Sequence, residues 1–480
     1  MSVSVSDSVK MKNQRAIEAL RNGVPNRDAV AVLGCVQPEI ERKLRDMLER
    51  IKNEITGDNS GNEHSDCGNC NNRNSSDNSN NSNNNNNDNN SSSNDAGNNK
   101  GNSKKHIVNN GMLVAGDFGS GKSHLLEYLM HLALEQKFVC SRIVISKETP
   151  LYDPVKLYRA AIEAAVIPGK RGSAVTEIAA MLKFNDQNYR DFYLWAHKEN
   201  NINARFAATL FLYERMSNDP ELSNHIIRFW SGDRISVGGI RKYLKACSET
   251  STYRIDNIPA RELALQSFKF NARMIAAAGY SGWILLIDEA ELIGRYSILQ
   301  RAKSYAELAR FMGKYSESAS DGLATIFAIT EDFQRMVLEG RDDFEKIPNK
   351  LRAKRTEGSN LLAKQAEAGM KMIQDECVLL NVPDKNILDL TYGKVKDIYK
   401  EAYGWDPPHV KPYGYMATTR MRQYIKGWIT EWDLRRLYPD YSPELESMKL
   451  SQDYTEDKSL EVDVDESTDA GSLQGTLRPE

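Results

Sequence analysis

The sequence predicts an α/β protein: a parallel-sheet core bearing a P-loop, broken by a helical insertion and followed by a helical C-terminal region. Three observations carry that expectation. Gly116-Asp117-Phe118-Gly119-Ser120-Gly121-Lys122-Ser123 has the form G-x-x-x-x-G-K-S and lies between an apolar run and a helical pattern. Apolar runs at Trp283 to Ile287 and Leu323 to Ile329 each follow a helical stretch. Strands alternating with longer helical crossovers build parallel sheets.

From the N-terminus, Ile17, Leu20, Val24, Ala29, Val32 and Leu33 recur at roughly helical spacing, with Pro25 as an interruption. Ile40, Leu44, Leu48, Ile51 and Ile55 then share one face of a more regular helix that Pro38 can begin. Residues 12–55 therefore read as a helical module, suited to partner docking or to packing on the main domain. Residues 56–105 differ sharply. Between Asn71 and Lys100, 16 of 30 residues are Asn, and such a stretch cannot repay backbone entropy by apolar burial. The expectation is a disordered insertion.

The ATPase domain is expected over 106–383. Its strands are Met112 to Ala115, Phe138 to Ile145, the two runs already named, and Cys377 to Val382 as a fifth; the helix after the loop spans Lys122 to Gln136. A mostly helical insertion occupies about 151–270. Residues 384–438 are again helical, with a break at Asp406-Pro407-Pro408 and a terminal helix over Thr419 to Leu437. Residues 439–480 read as an acidic disordered tail: from Tyr441 to Glu480 there are 11 acidic and 3 basic side chains, against a net charge of −3 for the whole chain.

Hydrophobic residues make up 40% of the 480 and charged residues 27%. No apolar run reaches the roughly 20 residues that span a bilayer, and no signal segment opens the chain, so a cytoplasmic location without membrane attachment is expected. The six cysteines follow no secreted disulfide framework. His64, Cys67 and Cys70 suggest zinc, but a fourth ligand is not evident. The body, net positive without its tail, tolerates nucleic acid without requiring it.

The chemistry concentrates on a few residues. Gly116, Asp117, Phe118, Gly119, Ser120 and Gly121 form the loop whose amides would cradle phosphate at a helix start. Lys122 would pair with the β- and γ-phosphates of ATP, and the Ser123 hydroxyl would ligate Mg2+. Asp288 would hold Mg2+, directly or through water, and Glu289 would polarise the attacking water. Capping of the next helix is the plainer reading of that pair. Glu291 fits a cap or surface contact equally well. Thr330, after the 323–329 strand, would sense the γ-phosphate or position water, unless it only satisfies local backbone. Arg341 is a candidate for neutralising phosphoryl charge at a neighbouring subunit; Arg352, Arg355, Arg420 and Arg422 compete for arginine roles.

Taken together, the motifs resemble the BREX-type bacterial phage-defence ATP-binding family across about 12–438 outside the Asn-rich stretch. The segments that carry the resemblance are Ala19 to Asn26, the phosphate loop, Ile226-Ile227-Arg228-Phe229-Trp230-Ser231-Gly232-Asp233, Ala278 to Glu291 and Arg301 to Arg310. The resemblance implies an additional-strand AAA-like ATPase related to DNA-loading and initiator proteins, with Lys122, Ser123, Asp288 and Glu289 as first functional residues and Thr330 behind them. It further implies partner proteins and double-stranded DNA, and self-association would supply an arginine across subunits. The leading expectation is a nucleotide-gated switch or motor. The alternative is a regulatory ATP-binding adaptor with little or no hydrolysis; a nuclease built on Asp288 and Glu289 explains less.

Overall fold

The apolar runs assemble into one sheet. Among the described residues it has six strands, β1 (Gly111–Ala115), β2 (Val139–Val144), β3 (Ala165–Val166), β4 (Trp283–Asp288), β5 (Leu323–Ile329) and β6 (Cys377–Leu379), in the order β3-β2-β4-β5-β1-β6. All pairings are parallel except β2 with β3. The computed structural model describes residues 5–24, 26–35, 37–56, 110–170, 172–249, 251–314, 322–381, 384–410 and 421–440. Most of the Asn-rich stretch, the tail from 441, His64, Cys67, Cys70 and Arg420 lie outside them.

Every residue of β4 and β5 is buried, as a parallel sheet covered on both faces requires. Side chains alternate between two cores. Leu113, Trp283, Leu285, Ile287, Phe327 and Ile329 face one side. Met112, Val114, Ile284, Leu286, Ala324 and Ile326 face the other, where helices Pro38–Thr56 and Lys122–Glu135 cover them.

Among the described residues, the chain between β2 and β4 forms seven helices and the two-residue β3. Its helices start where the sequence supplies caps: Asp153 accepts from the amides of Val155 and Lys156, and Asp219 from that of Leu222, each followed by proline at the first helical position. The Trp230 carbonyl ties helix Pro220–Trp230 to helices Pro154–Glu163 and Ala260–Ala277. It accepts from the Tyr158 hydroxyl and, at 3.1 Å, from the Asn271 amide.

A third apolar cluster joins the two ends of the chain. Helices Val5–Asn22 and Arg27–Leu33 pack on Lys385–Tyr403 and Met421–Leu437 through Ile17, Leu20, Leu33, Tyr399, Trp428 and Trp432. Arg21 with Asp433 (2.8 Å) and Lys394 with the Leu33 carbonyl (2.6 Å) reinforce the joint. No helix among the described residues is long and apolar enough to cross a membrane.

Candidate phosphate-binding site

The loop 116–123 leaves the C-terminal end of β1 and enters helix Lys122–Glu135. Its backbone depends on glycine at two kinds of position. Gly119 and Gly121 have φ of 81° and 107°, a region costly for residues with a Cβ. Gly116 is instead a matter of approach: a Cβ there would lie 2.6 Å from Ser120 Oγ and 2.7 Å from Leu380 Cδ1. Beside Gly121 the space is open, with nothing within 4 Å of an added Cβ.

Lys122 is buried, and its ammonium donates to the carbonyls of Gly116 (2.7 Å) and Asp117 (3.1 Å). The charge is thus held at the loop by weak acceptors that an anion can replace. Ser120 Oγ is buried without a hydrogen-bond partner, an uncompensated cost that an acceptor in the loop would remove. A pocket of amides, an ammonium and an orphan hydroxyl fits a phosphate chain.

The strand ends bring the other groups to the same edge. Asp288 ends β4, whose neighbour is β5; the next strand is β1, and the Gly116 amide donates to the Ile329 carbonyl at 3.2 Å. Thr330, buried, is the next residue after Ile329. Asp288 is 3% exposed; Oδ1 accepts from the Glu289 amide at 3.0 Å, and Oδ2 from Arg142 at 2.9 Å. Arg142, on β2, also donates to Glu127 on the helix after the loop, at 3.0 Å. One guanidinium therefore links that helix to the end of β4.

Glu289 has φ of 56°, the left-handed region, a strained conformation for a residue with a side chain. That turn leaves its side chain exposed. Nearby walls still strip water from the carboxylate and, with the Asp288 charge, push it above the usual range, while Lys122 and Arg142 pull it back. Glu291 is the deeper group. Only 3% exposed and with Oε2 unpartnered, it is pushed up by burial to about 7 against the pull of Lys122. Lys122 thus acts electrostatically on two carboxylates far along the chain.

Other arginines separate by position. Arg341 is half-buried and acts electrostatically on Tyr305, which donates to Asp343 beside the buried Arg301–Asp343 pair. Arg352 is exposed and paired with Glu367; Arg355 is exposed. Arg422 lies with its guanidinium 5.8 Å from the centre of the Phe118 ring.

A cleft opens beside the loop at Gly119, Ser120 and Gly121, walled by Leu20, Leu33, Tyr128, Leu380 and Arg422 among others. It is mainly apolar, and its histidine is neutral in character: His124 Nε2 donates to the Gly34 carbonyl at 3.2 Å, and burial lowers its pKa. Sequence reasoning missed both this wall and Arg142. The signal for Arg142 was one charge inside the otherwise uncharged strand Val139-Cys140-Ser141-Arg142-Ile143-Val144.

A family model described as "BREX system ATP-binding protein BrxC/D" matches residues 108–186 and 195–414, more than half of the 480. The matched span includes the phosphate loop, Asp288, Glu289, Thr330 and Arg341. No curated protein matches the chain.

Proposed function

The chain belongs to the BREX system ATP-binding protein family BrxC/D, and from that premise we propose a magnesium-dependent, AAA-like ATPase that serves as a switch or motor in a DNA-associated phage-defence assembly. The observation that supports the hydrolytic reading is that Lys122, at the start of the helix after the loop, pulls down the pKa of Glu289, the residue just past the end of β4. The position of β5 between β1 and β4 supports the additional-strand class.

Ser123 and Asp288, a hydroxyl and a carboxylate, are the oxygen donors suited to magnesium. Bound MgATP supplies the phosphoanhydride and a divalent charge that offsets the charge developing on the transferred phosphoryl group. Lys122 exchanges the Gly116 and Asp117 carbonyls for phosphate oxygens. Asp288 would hold the metal with the lone pairs left free by Arg142 on Oδ2 and the Glu289 amide on Oδ1. Glu289 takes the proton of the attacking water, a task helped by a carboxylate more basic than usual. Thr330 orients that water, and Arg341 neutralises charge at a neighbouring copy. The apolar cleft beside Gly119 receives the nucleoside, so nucleotide binding would bridge the sheet and the C-terminal helices that carry Arg422.

A second reading, an ATP-binding adaptor with little turnover, is favoured by the direct Arg142–Asp288 pair. ATP binding and turnover of wild-type, Lys122→Ala and Glu289→Gln protein, with and without duplex DNA, separate the two. We expect Lys122→Ala to lose ATP binding, and Glu289→Gln to bind ATP while losing DNA-stimulated turnover. Tight binding with no turnover in the wild type would establish the adaptor, and undiminished ATP binding by folded Lys122→Ala protein would overturn the site.

A further inference from the structure

Helix Val237–Ala246 differs from every other α-helix among the described residues: it alone has no acidic side chain. Its apolar residues Ile240 and Leu244 are buried. Gly238, Arg241, Lys242 and Lys245, spaced i, i+3, i+4 and i+7, are exposed together, so they form one face. At 1.5 Å per residue that stripe is roughly 10 Å long. Arg234, exposed just before the helix, extends it.

The helix borders a cleft of about 580 Å³, open to solvent, lined by His225, Arg228, Arg234 and Lys242 with a single carboxylate, Asp233. Asp233 is already engaged by Arg228 at 2.8 Å. Ser236 Oγ caps the helix by accepting from the Gly239 amide at 2.8 Å. Gly238 has no side chain to shield the first turn, where helix amides favour anions.

We propose that this face and cleft bind the phosphodiester backbone of nucleic acid. The inference deepens the DNA-associated reading above and rests on it. A row of cations along a helix matches a ligand whose charges repeat; duplex phosphates recur about every 3.4 Å along each strand, so the stripe spans about three of them. A compact anion would use only one end. A chain of packing contacts also links the cleft to β4, the strand that ends at Asp288. Helix Pro220–Trp230, which supplies Arg228, is held at its Trp230 carbonyl by Tyr158 and Asn271. Asn271 lies on helix Ala260–Ala277, whose Phe268 stacks on Trp283 of β4 at 5.7 Å.

The test is fluorescence anisotropy of a short labelled duplex with the full chain across a salt series. The wild type is compared with the triple variant Arg241→Gln, Lys242→Gln and Lys245→Gln, whose glutamines keep helix propensity. The expected result is weaker binding and a log–log salt slope reduced by about 2.7, since each neutralised phosphate contributes about 0.9. No duplex binding by the wild type, or unchanged affinity and slope in the variant, would overturn the proposal. Displacement of duplex by inorganic phosphate at low concentration would assign a single-anion site instead, and stronger displacement by polyglutamate than by unlabelled duplex would assign an acidic polypeptide; either result also rejects it. ATP binding measured on the same variant should be unchanged, so failure here is distinguishable from failure of the ATP site.

Discussion

Replacing Glu291 with glutamine isolates the energetic cost of holding a carboxyl group in the wall of the candidate site. The side chain is buried, one oxygen has no partner, and the folded pKa is about 7 against an ordinary value of 4.5. Burial is the main cause. Asp288 and Glu289 add to it, while Lys122 and the residue's own backbone amide oppose it. The fold therefore favours the protonated form. Its contribution is fully present below pH 4.5 and is lost as pH rises through about 7, because the unfolded chain ionises first. Each pH unit of that window corresponds to about 1.4 kcal/mol, giving about 3 kcal/mol in total. Glu291→Gln lacks the titrating proton. Urea unfolding of both proteins below pH 4.5 and near pH 8 should show the variant gaining about 3 kcal/mol relative to wild type on going to the higher pH. A wild-type-minus-variant difference that stays constant across that range would refute the reasoning.

Three further outcomes follow from packing. An alanine at Gly369 would drive its Cβ into the Tyr305 carbonyl, where helices Ile298–Phe311 and Glu357–Asp375 meet; a loss of about 3 kcal/mol in denaturant unfolding is expected, the upper end for overpacking against rigid backbone. Arg301 makes two bonds of 2.9 Å to Asp343, which also accepts from the Tyr305 hydroxyl at 2.9 Å. Asp343→Asn leaves a buried guanidinium without its counter-charge and should cost about 3 to 5 kcal/mol by the same measurement. Arg422→Ala removes the guanidinium beside Phe118; if that contact holds the C-terminal helix over the loop, ATP affinity measured calorimetrically should fall about fivefold, the equivalent of about 1 kcal/mol.

The sheet's central elements were legible because burial on both faces leaves little ambiguity in a short run such as Leu323–Ile329, and because the loop glycines meet a helix start. The two residues of β3 carry no period, and their antiparallel pairing with β2 is a consequence of tertiary placement. The carboxylates at 288 and 289 could be read from their position after a hydrophobic strand. The engagement of Asp288 by Arg142 could not, since the two are 146 positions apart and only the β2–β4 register brings them together. Glu291 illustrates a different limit: a glutamate after a strand looks like a cap, and only burial reveals that it is a wall group whose pKa is raised. The cleft wall was hidden for the same reason, because Leu20 and Leu33 have ordinary helical spacing and their destination is set by packing at the chain's far end.

The place of β5 bears on tolerance to evolutionary change. Because that strand is wedged between β1 and β4, the lateral separation of β1 from β4 is fixed by two interstrand spacings, about 9.6 Å at 4.8 Å each, and the register sets Gly116 two residues further along than Asp288. Hydrogen-bonded backbone thus acts as a gauge block for the site. The helical excursion between β2 and β4 lies outside that measurement, so it is free to lengthen, shorten or acquire new surfaces while the separation of the phosphate cradle from its carboxylates stays the same.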